Sequence, residues 1–304
     1  MKLSGHTMGT PEYSLEEAID LFARIGLDGI EIIVQSDGYP CAVPLAATDR
    51  EAAVIARRVR ENGLRVAGLT PYLDLFNDLN ESVRADECRK LKRVVDLAQI
   101  MGAGFVRVYG GKFVHGETDE GGRKLGQFVR SMRECGDYCA PRGVRLCLEN
   151  HFGTMTTTAA RTMEIVKAID HENVGVLYDQ ANLAFFPAEE YPEAIALQKE
   201  KIFFVHCKDL VYRGGSPRPP VFKNVSHIDE SERTVYSRIP GRGILDWPGI
   251  LGALSAAGYD GWVSLEYERR WQKLDLPDAR EGMPQGAAYI RGVLSSLRAA
   301  GGNA

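Results

Sequence analysis

Short apolar runs alternate with amphipathic stretches along the whole chain. Eight runs have the length and branched-residue content of buried strands: residues 3–7 (LSGHT), 29–34 (GIEIIV), 64–70 (LRVAGLT), 105–111 (FVRVYGG), 144–150 (VRLCLEN), 174–179 (VGVLYD), 202–209 (IFFVHCKD) and 261–267 (GWVSLEY). The stretches between them repeat apolar positions at helical spacing. Ser14 and Glu17 form a capping-box pattern ahead of the first helix, which stops at Gly26. A Thr cap and a Gly stop frame residues 48–63 in the same way. Further helices are predicted over 81–102, 123–143, 156–170, 191–201, 246–258 and 286–300. Strand followed by helix, repeated without a composition break, predicts a parallel sheet with right-handed crossovers. Eight such units in 304 residues predict closure as a (β/α)8 TIM barrel, one domain over 1–304. An open doubly wound sheet is the competing architecture. It calls for a glycine-rich phosphate loop after strand one, which GHTMGT (5–10) matches poorly. The pattern lapses over 210–245, which is rich in Arg, Pro, Gly and Ser. That stretch separates strand seven from its helix, so a barrel carries it over the mouth as a lid, binding loop or interface.

Four of the late strands end in a polar residue: Glu149, Asp179, His206 and Glu266. A carboxylate or imidazole on a buried strand costs free energy unless it is paired or ligates a metal. Barrel strands present their active-site groups at their C-terminal ends, and side chains of one parity face inward. Four successive strands can therefore aim these groups at one ion. Three oxygen donors and one nitrogen suit Mn²⁺, Mg²⁺, Zn²⁺, Fe²⁺ or Co²⁺. The same parity brings His151 beside Glu149, Lys208 beside His206, and Ser264 and Glu268 beside Glu266.

Composition excludes some classes. The net charge of −4 gives no basic surface for nucleic acid. No run of 18 apolar residues predicts a membrane span, and MKLSGHTMGTPEYS has no signal-peptide core. The six cysteines form no paired CxxC spacing and read as reduced thiols, so a cytoplasmic location is expected.

The segments LENH (148–151), VLYDQAN (176–182), FVHCKD (204–209), PGRGILDW (240–247) and SLEYE (264–268) resemble the xylose isomerase-like barrel superfamily. Within it they look like the sugar phosphate isomerase/epimerase branch, with GIEI (29–32) and FVRVYGG also fitting. The resemblance implies that Glu149, Asp179, His206 and Glu266 ligate one divalent ion, often Mn²⁺, with Glu149 and Glu266 also serving as an acid–base pair. It implies proton abstraction beside the carbonyl of a keto sugar or inosose through a metal-stabilised enediolate, giving isomerisation or epimerisation. The alternative is a lyase using the same enolate: a dehydratase, or β-elimination from a 3-keto glycoside such as a C-glycoside, with a small partner subunit. A homo-oligomer fits either reading. A carbohydrate-binding barrel without catalysis is the remote third. Ketose 3-epimerases of the superfamily usually carry a histidine where Asn182 stands here.

His151 is either a further base or a hydrogen-bond partner of a ligand. Substrate contacts are expected from Arg107, Lys208, Glu31, Asn182 and Arg242. For Arg107 the competing expectation is a salt bridge to Glu31. His6 is expected at the rim or pocket floor. Tyr72 and Phe76 are expected as an apolar wall, and Trp247 and Trp271 as packing. In the 210–245 stretch, Arg213, Arg218, Lys223, Arg233, Arg238 and Arg242 are offset by Asp229, Glu230 and Glu232, which suits a solvated lid better than a phosphate site. Tyr212, Phe222 and Tyr236 suit an aglycone, a lid hinge or a subunit contact.

Overall fold

Eight parallel strands close on themselves in the computed structural model, which describes residues 1–35, 38–113, 117–185, 189–215 and 233–301. The barrel strands are β1 (Lys2–His6), β2 (Gly29–Gln35), β3 (Arg65–Pro71), β4 (Phe105–Val108), β5 (Arg145–Glu149), β6 (Val174–Asp179), β7 (Ile202–Cys207) and β8 (Trp262–Leu265). Closure is made by β1, which pairs with β8 (Gly5 opposite Leu265) and with β2 (Gly5 opposite Ile30). The outer helices are α1 (Leu15–Arg24), α2 (Asp49–Glu61), α3 (Glu81–Met101), α4 (Arg123–Cys139), α5 (Ala159–Ile169), α6 (Tyr191–Gln198), α7 (Trp247–Ala256) and α8 (Ala279–Gly301).

Local sequence fixes the helix starts. Ser14 with Glu17, and Thr48 with Glu51, each form a reciprocal capping box. Gly102 ends α3 in the left-handed region, φ 74°. The last helix starts seven residues earlier than the sequence predicts and runs through Pro284. Proline forfeits an intrahelical hydrogen bond. The stripe Ala279, Met283, Ala287, Ile290 and Leu294 is buried against the barrel, and that burial outweighs the loss.

The barrel interior is layered. Ala67, Cys147, Leu177 and Phe204 form an apolar cluster inside the sheet. One inward step further along β5, β6 and β7 come Glu149, Asp179 and His206. The polar layer thus rests on an apolar floor. Trp247 is fully buried, as is Phe76, which packs on Phe128 instead of lining the mouth as expected. All six cysteines are buried free thiols.

The 210–245 stretch is less irregular than the sequence suggests. An antiparallel hairpin pairs Asp209–Tyr212 with Val235–Arg238. The tip, 216–232, with Arg218, Phe222, Lys223, Asp229, Glu230 and Glu232, lies outside the described residues. Arg233 is buried and bonded to Asp275 and Gln272, so it is committed within the protein.

Asp209 holds the hairpin to the following turn. Its carboxylate accepts from the backbone N–H of Gly241 (2.9 Å), Gly243 (3.0 Å) and Leu245 (3.2 Å). A Cβ on Gly243 would sit 2.0 Å from Asp209 Oδ1, so only glycine lets the turn wrap the acid. The PGRG motif is therefore a clamp, and it leaves Arg242 exposed on the outside of the turn. Asp209→Ala leaves these three N–H groups and that of Leu210 without their acceptor and is expected to cost about 3 kcal/mol, read by thermal denaturation. An unchanged melting temperature would remove the clamp.

Candidate metal centre and cavity

Glu149, Asp179, His206 and Glu266 come together as the strand ends predict. All four are buried, and one donor atom from each lies within 4.8 Å of the others. Opposite donors in one coordination sphere stand roughly 4–5 Å apart, so this span matches a single ion. His206 Nδ1 faces the acids, 3.3 Å from Glu149 Oε1, 3.2 Å from Glu266 Oε2 and 3.8 Å from Asp179 Oδ2.

Parity explains why LENH contributes alternate residues. Glu149 points inward. Asn150 points outward, where its Nδ2 donates to Thr162 Oγ1 and Gln198 Oε1 on the helix layer. His151 returns to the cavity side. On β6, Asp179 also caps a single helical turn, Gln180–Leu183, accepting the Asn182 N–H at 3.0 Å. That cap fixes one carboxylate oxygen and leaves Oδ2 toward the centre.

Two permanent cations brace the acids. Lys208 Nζ lies 3.0 Å from Asp179, 2.8 Å from Glu266 and 3.2 Å from Glu268. Arg107 Nε lies 3.1 Å from Glu149 Oε2, and its guanidinium stacks on Tyr109 at 3.7 Å. Arg107 thus pairs with Glu149, and the expected Arg107–Glu31 bridge does not form. Burial drives the Asp179 carboxyl up to about 7. Burial pushes Glu149 the same way and is the largest single influence, but Arg107, His151 and His206 together outweigh it and hold that carboxyl down at about 2. Burial would lower Lys208; Asp179 and Glu266 raise it well above the usual lysine range.

The donor set fits a divalent cation on two counts. Glu149 Oε2 and Glu266 Oε2 are buried without an aligned hydrogen-bond donor, so both keep lone pairs to offer. Four buried carboxyls, Glu31, Glu149, Asp179 and Glu266, and the half-buried Glu268 face only Arg107 and Lys208 as permanent cations among the described residues. A 2+ charge at the centre relieves that imbalance.

Above the centre opens a cavity of about 270 Å³, near the small end of small-molecule pockets. Its floor carries Arg107, His151, Lys208, Glu266 and Glu268. Its wall is a chain of rings: Trp271–Tyr72 (6.4 Å between centroids), Tyr72–Tyr109 (6.1 Å), Tyr109–His151 (4.8 Å), His151–Phe152 (4.3 Å) and Phe152–Phe185 (5.5 Å). Leu210 and Val235 of the hairpin add an apolar edge.

Several expected substrate contacts lie elsewhere. Asn182 sits behind the four converging donors, donating to Asn150 O (2.8 Å) and Asp179 Oδ2 (3.1 Å). Glu31 lies beside the far nitrogen of His206, away from the cavity. His6 is wholly buried and caps a short turn, so it is not a rim residue. Arg242 is outside, as described. Tyr109, Phe152, Phe185 and Gln272 line the cavity without having been singled out in the sequence. For Tyr109 and Phe152 a signal existed, because each follows a strand end by one to three residues. Trp271, expected as packing, also lines the cavity.

This geometry defines a β/α-barrel protein with a buried acidic, histidine-containing centre under an open cavity. The chain belongs to the xylose isomerase-like TIM barrel family, whose model matches residues 19–293. It is 32% identical over 154 residues to the rhizopine catabolism protein MocC of Rhizobium meliloti, covering 50% of this chain and 43% of that protein. It is 26% identical over 141 residues to inosose dehydratase of Geobacillus thermodenitrificans, 46% of each chain. A longer match, 27% over 264 residues, joins 83% of this chain to 36% of 3-dehydroshikimate dehydratase from Pseudomonas putida. The chain therefore spans less than half the length of these curated relatives. Among solved structures, L-ribulose 3-epimerase superposes with a TM-score of 0.76 at 18% identity, covering 99% of this chain and 96% of that one. The IOLI protein, solved with a bound zinc atom, gives 0.76 at 21% identity, covering 98% and 99%. Those two likenesses establish the fold. Among the described residues no helix is long and apolar enough to cross a membrane.

Lys208→Met strips the cation from two buried acids, Asp179 and Glu266, and from the half-buried Glu268. It is expected to cost about 3–5 kcal/mol in metal-free protein, and less once Mn²⁺ is added. Paired thermal melts with and without Mn²⁺ test this; equal losses in both would show that cation and lysine do not share the same charge.

Proposed function

We propose that this chain is a divalent-metal-dependent enzyme acting on an α-hydroxyketone of a sugar or cyclitol. In this reading it moves a proton at the carbon beside the carbonyl, as an isomerase or epimerase. One observation carries the reading: four donors converge on a single point, and one of them, Glu266, also lines the cavity. A bound ion, Mn²⁺ by preference, would be held by Glu149, Asp179, His206 and Glu266 and would supply Lewis-acid stabilisation of charge developing on the carbonyl oxygen. The epimerase and dehydratase names among similar proteins, and the zinc in one structural neighbour, support it.

The proton carriers follow from exposure to the cavity. Glu266 and His151 line it; Glu149 is wholly buried beneath Arg107. His151 Nδ1 lies 2.5 Å from the Phe152 carbonyl oxygen, an acceptor. That nitrogen therefore carries the proton, and Nε2 keeps a lone pair for use as a base. Glu266 takes the α-proton from one side, and His151 takes or returns it on the other. Return to the same carbon inverts it. Return to the neighbouring carbon exchanges aldose for ketose. Arg107 and Lys208 hold substrate hydroxyls, and Glu149 is first a ligand.

The aromatic belt favours a second reading. A bare polyol leaves most of that apolar wall without a partner, whereas an apolar substituent on the sugar would fill it. Expulsion of a β-substituent from the same enolate is a lyase reaction, either dehydration or glycoside cleavage.

Deuterium wash-in from heavy water separates these outcomes. With Mn²⁺ present, exchange without elimination is expected for a keto sugar substrate, and loss of water or an aglycone would move the assignment to lyase. Glu266→Gln and His151→Ala are each expected to slow exchange by about 100-fold or more. Glu149→Gln should weaken metal binding yet recover exchange at saturating Mn²⁺; failure to recover would restore it to the acid–base pair. Absence of exchange across a broad panel would favour a binding protein. For the belt, Phe185→Ala is expected to raise KM about tenfold for an aryl-bearing substrate and little for the bare sugar. An equal rise for both would deny the belt a role in recognition.

A further inference from the structure

Beneath the centre, three residues form a buried chain: His6, Glu31 and His206. His6 and Glu31 are register partners on β1 and β2. The pairing of β2 with β3 slips at this point: Ile30 faces Val66, but Glu31 faces Gly68. Such a bulge re-aims the neighbouring side chains. Glu31 then lies against His206 Nε2, at 3.1 Å from Oε1 and 3.2 Å from Oε2. Thr70 Oγ1 donates to the same carboxylate at 2.5 Å. His6 Nε2 stands 3.6 Å from Glu31 Oε1 and has no hydrogen-bond partner.

These three side chains have donor atoms close enough to suggest a second metal site. Proton positions argue otherwise. His6 Nδ1 accepts the backbone N–H of Met8 at 2.9 Å, so its proton sits on Nε2, where a ligand would need a lone pair. His206 Nε2 faces a carboxylate and likewise carries a proton. Both imidazoles thus present N–H groups to Glu31.

We propose that Glu31 is a positioning residue that sets the tautomer and ring orientation of His206. By fixing the proton on Nε2 it leaves the Nδ1 lone pair facing Glu149, Asp179 and Glu266. A carboxylate behind a metal-binding histidine also makes the imidazole a stronger donor. Thr70 holds Glu31 by a hydrogen bond, and His6 flanks it at 3.6 Å. The inference rests on the metal reading above and extends it to a residue that touches neither ion nor substrate.

The test uses chelator-stripped full-length protein and Mn²⁺ alone, titrated by calorimetry. Glu31→Gln has nearly the same volume, but its amide oxygen can serve one imidazole N–H well and its NH₂ faces the other with a donor. Mn²⁺ affinity is expected to fall 10–100-fold, with one ion per chain in wild type. Thr70→Val keeps the carboxylate but frees it to turn, and an intermediate loss of three- to tenfold is expected. In Zn²⁺-loaded protein, NMR of ¹⁵N-labelled histidine should place the His206 Nε2–H proton further downfield in wild type, where it meets a carboxylate, than in Glu31→Gln. Affinity within twofold of wild type in Glu31→Gln, an unchanged His206 signal, or two ions per wild-type chain would each overturn the proposal. Wild type that binds no ion would sink the functional reading and this inference with it. Wild-type binding together with an unaffected Glu31→Gln would sink only this one.

Discussion

The constraint on which the structure turns is the crowding of carboxylates around His206. Three acids point at one imidazole nitrogen, and a fourth sits against the other. All lie on an apolar floor, where charges are poorly screened. Such a cluster is unstable unless cations divide it. Lys208 and Arg107 do so from the cavity side, each against its own subset of acids. The unequal sharing drives the Asp179 and Glu149 carboxyls apart, one raised and one depressed. Separation of neighbouring acids in this way is how a site obtains distinct proton-holding roles from like groups.

The barrel makes that crowding possible. Parallel register places Asp179 opposite His206, and His206 opposite Ser264, two residues short of Glu266. Each strand end therefore delivers its donor at nearly one height without a loop having to fold over to reach it. Rigid strands hold the donors, while loops and the hairpin shape what can approach. Proteins similar to this chain carry names for different reactions.

What was legible in the sequence follows the same division. The strand runs, the capping boxes and the barrel closure could be read because they depend on local periodicity. The four donors could be read because a buried polar strand end is costly enough to stand out. Asn182, Glu31 and Arg242 were placed beside substrate, since parity and proximity in sequence cannot say which side of a ligand a residue occupies. The structure puts Asn182 and Glu31 behind the four converging donors and Arg242 outside the PGRG turn. The role of that turn depends on Asp209, more than thirty residues earlier, a contact no local pattern carries. Of the aromatic belt, Tyr72 was legible as a wall and His151 as a site residue, but the continuous surface was hidden. Its six rings come from five separate loops or strand ends and form one surface only after the barrel closes.

The belt and the centre together limit the chemistry more than either alone. The proposed enolisation needs a ketone and a hydroxyl from the substrate and two proton carriers, for which the floor offers Glu266 and His151. The wall is then free to select among ketones by what they carry above the reacting carbons. An aromatic wall gains most from a flat apolar group and least from a flexible polyol chain. His151 joins the two halves, with one ring face in the belt and its Nε2 available to the floor. A substituent seated in the belt would therefore lie beside the same imidazole to which the proposed function gives the proton. In that position a neutral histidine, once protonated, is placed to donate to a departing oxygen, so the step from epimerase to lyase requires a different substrate and no new residue.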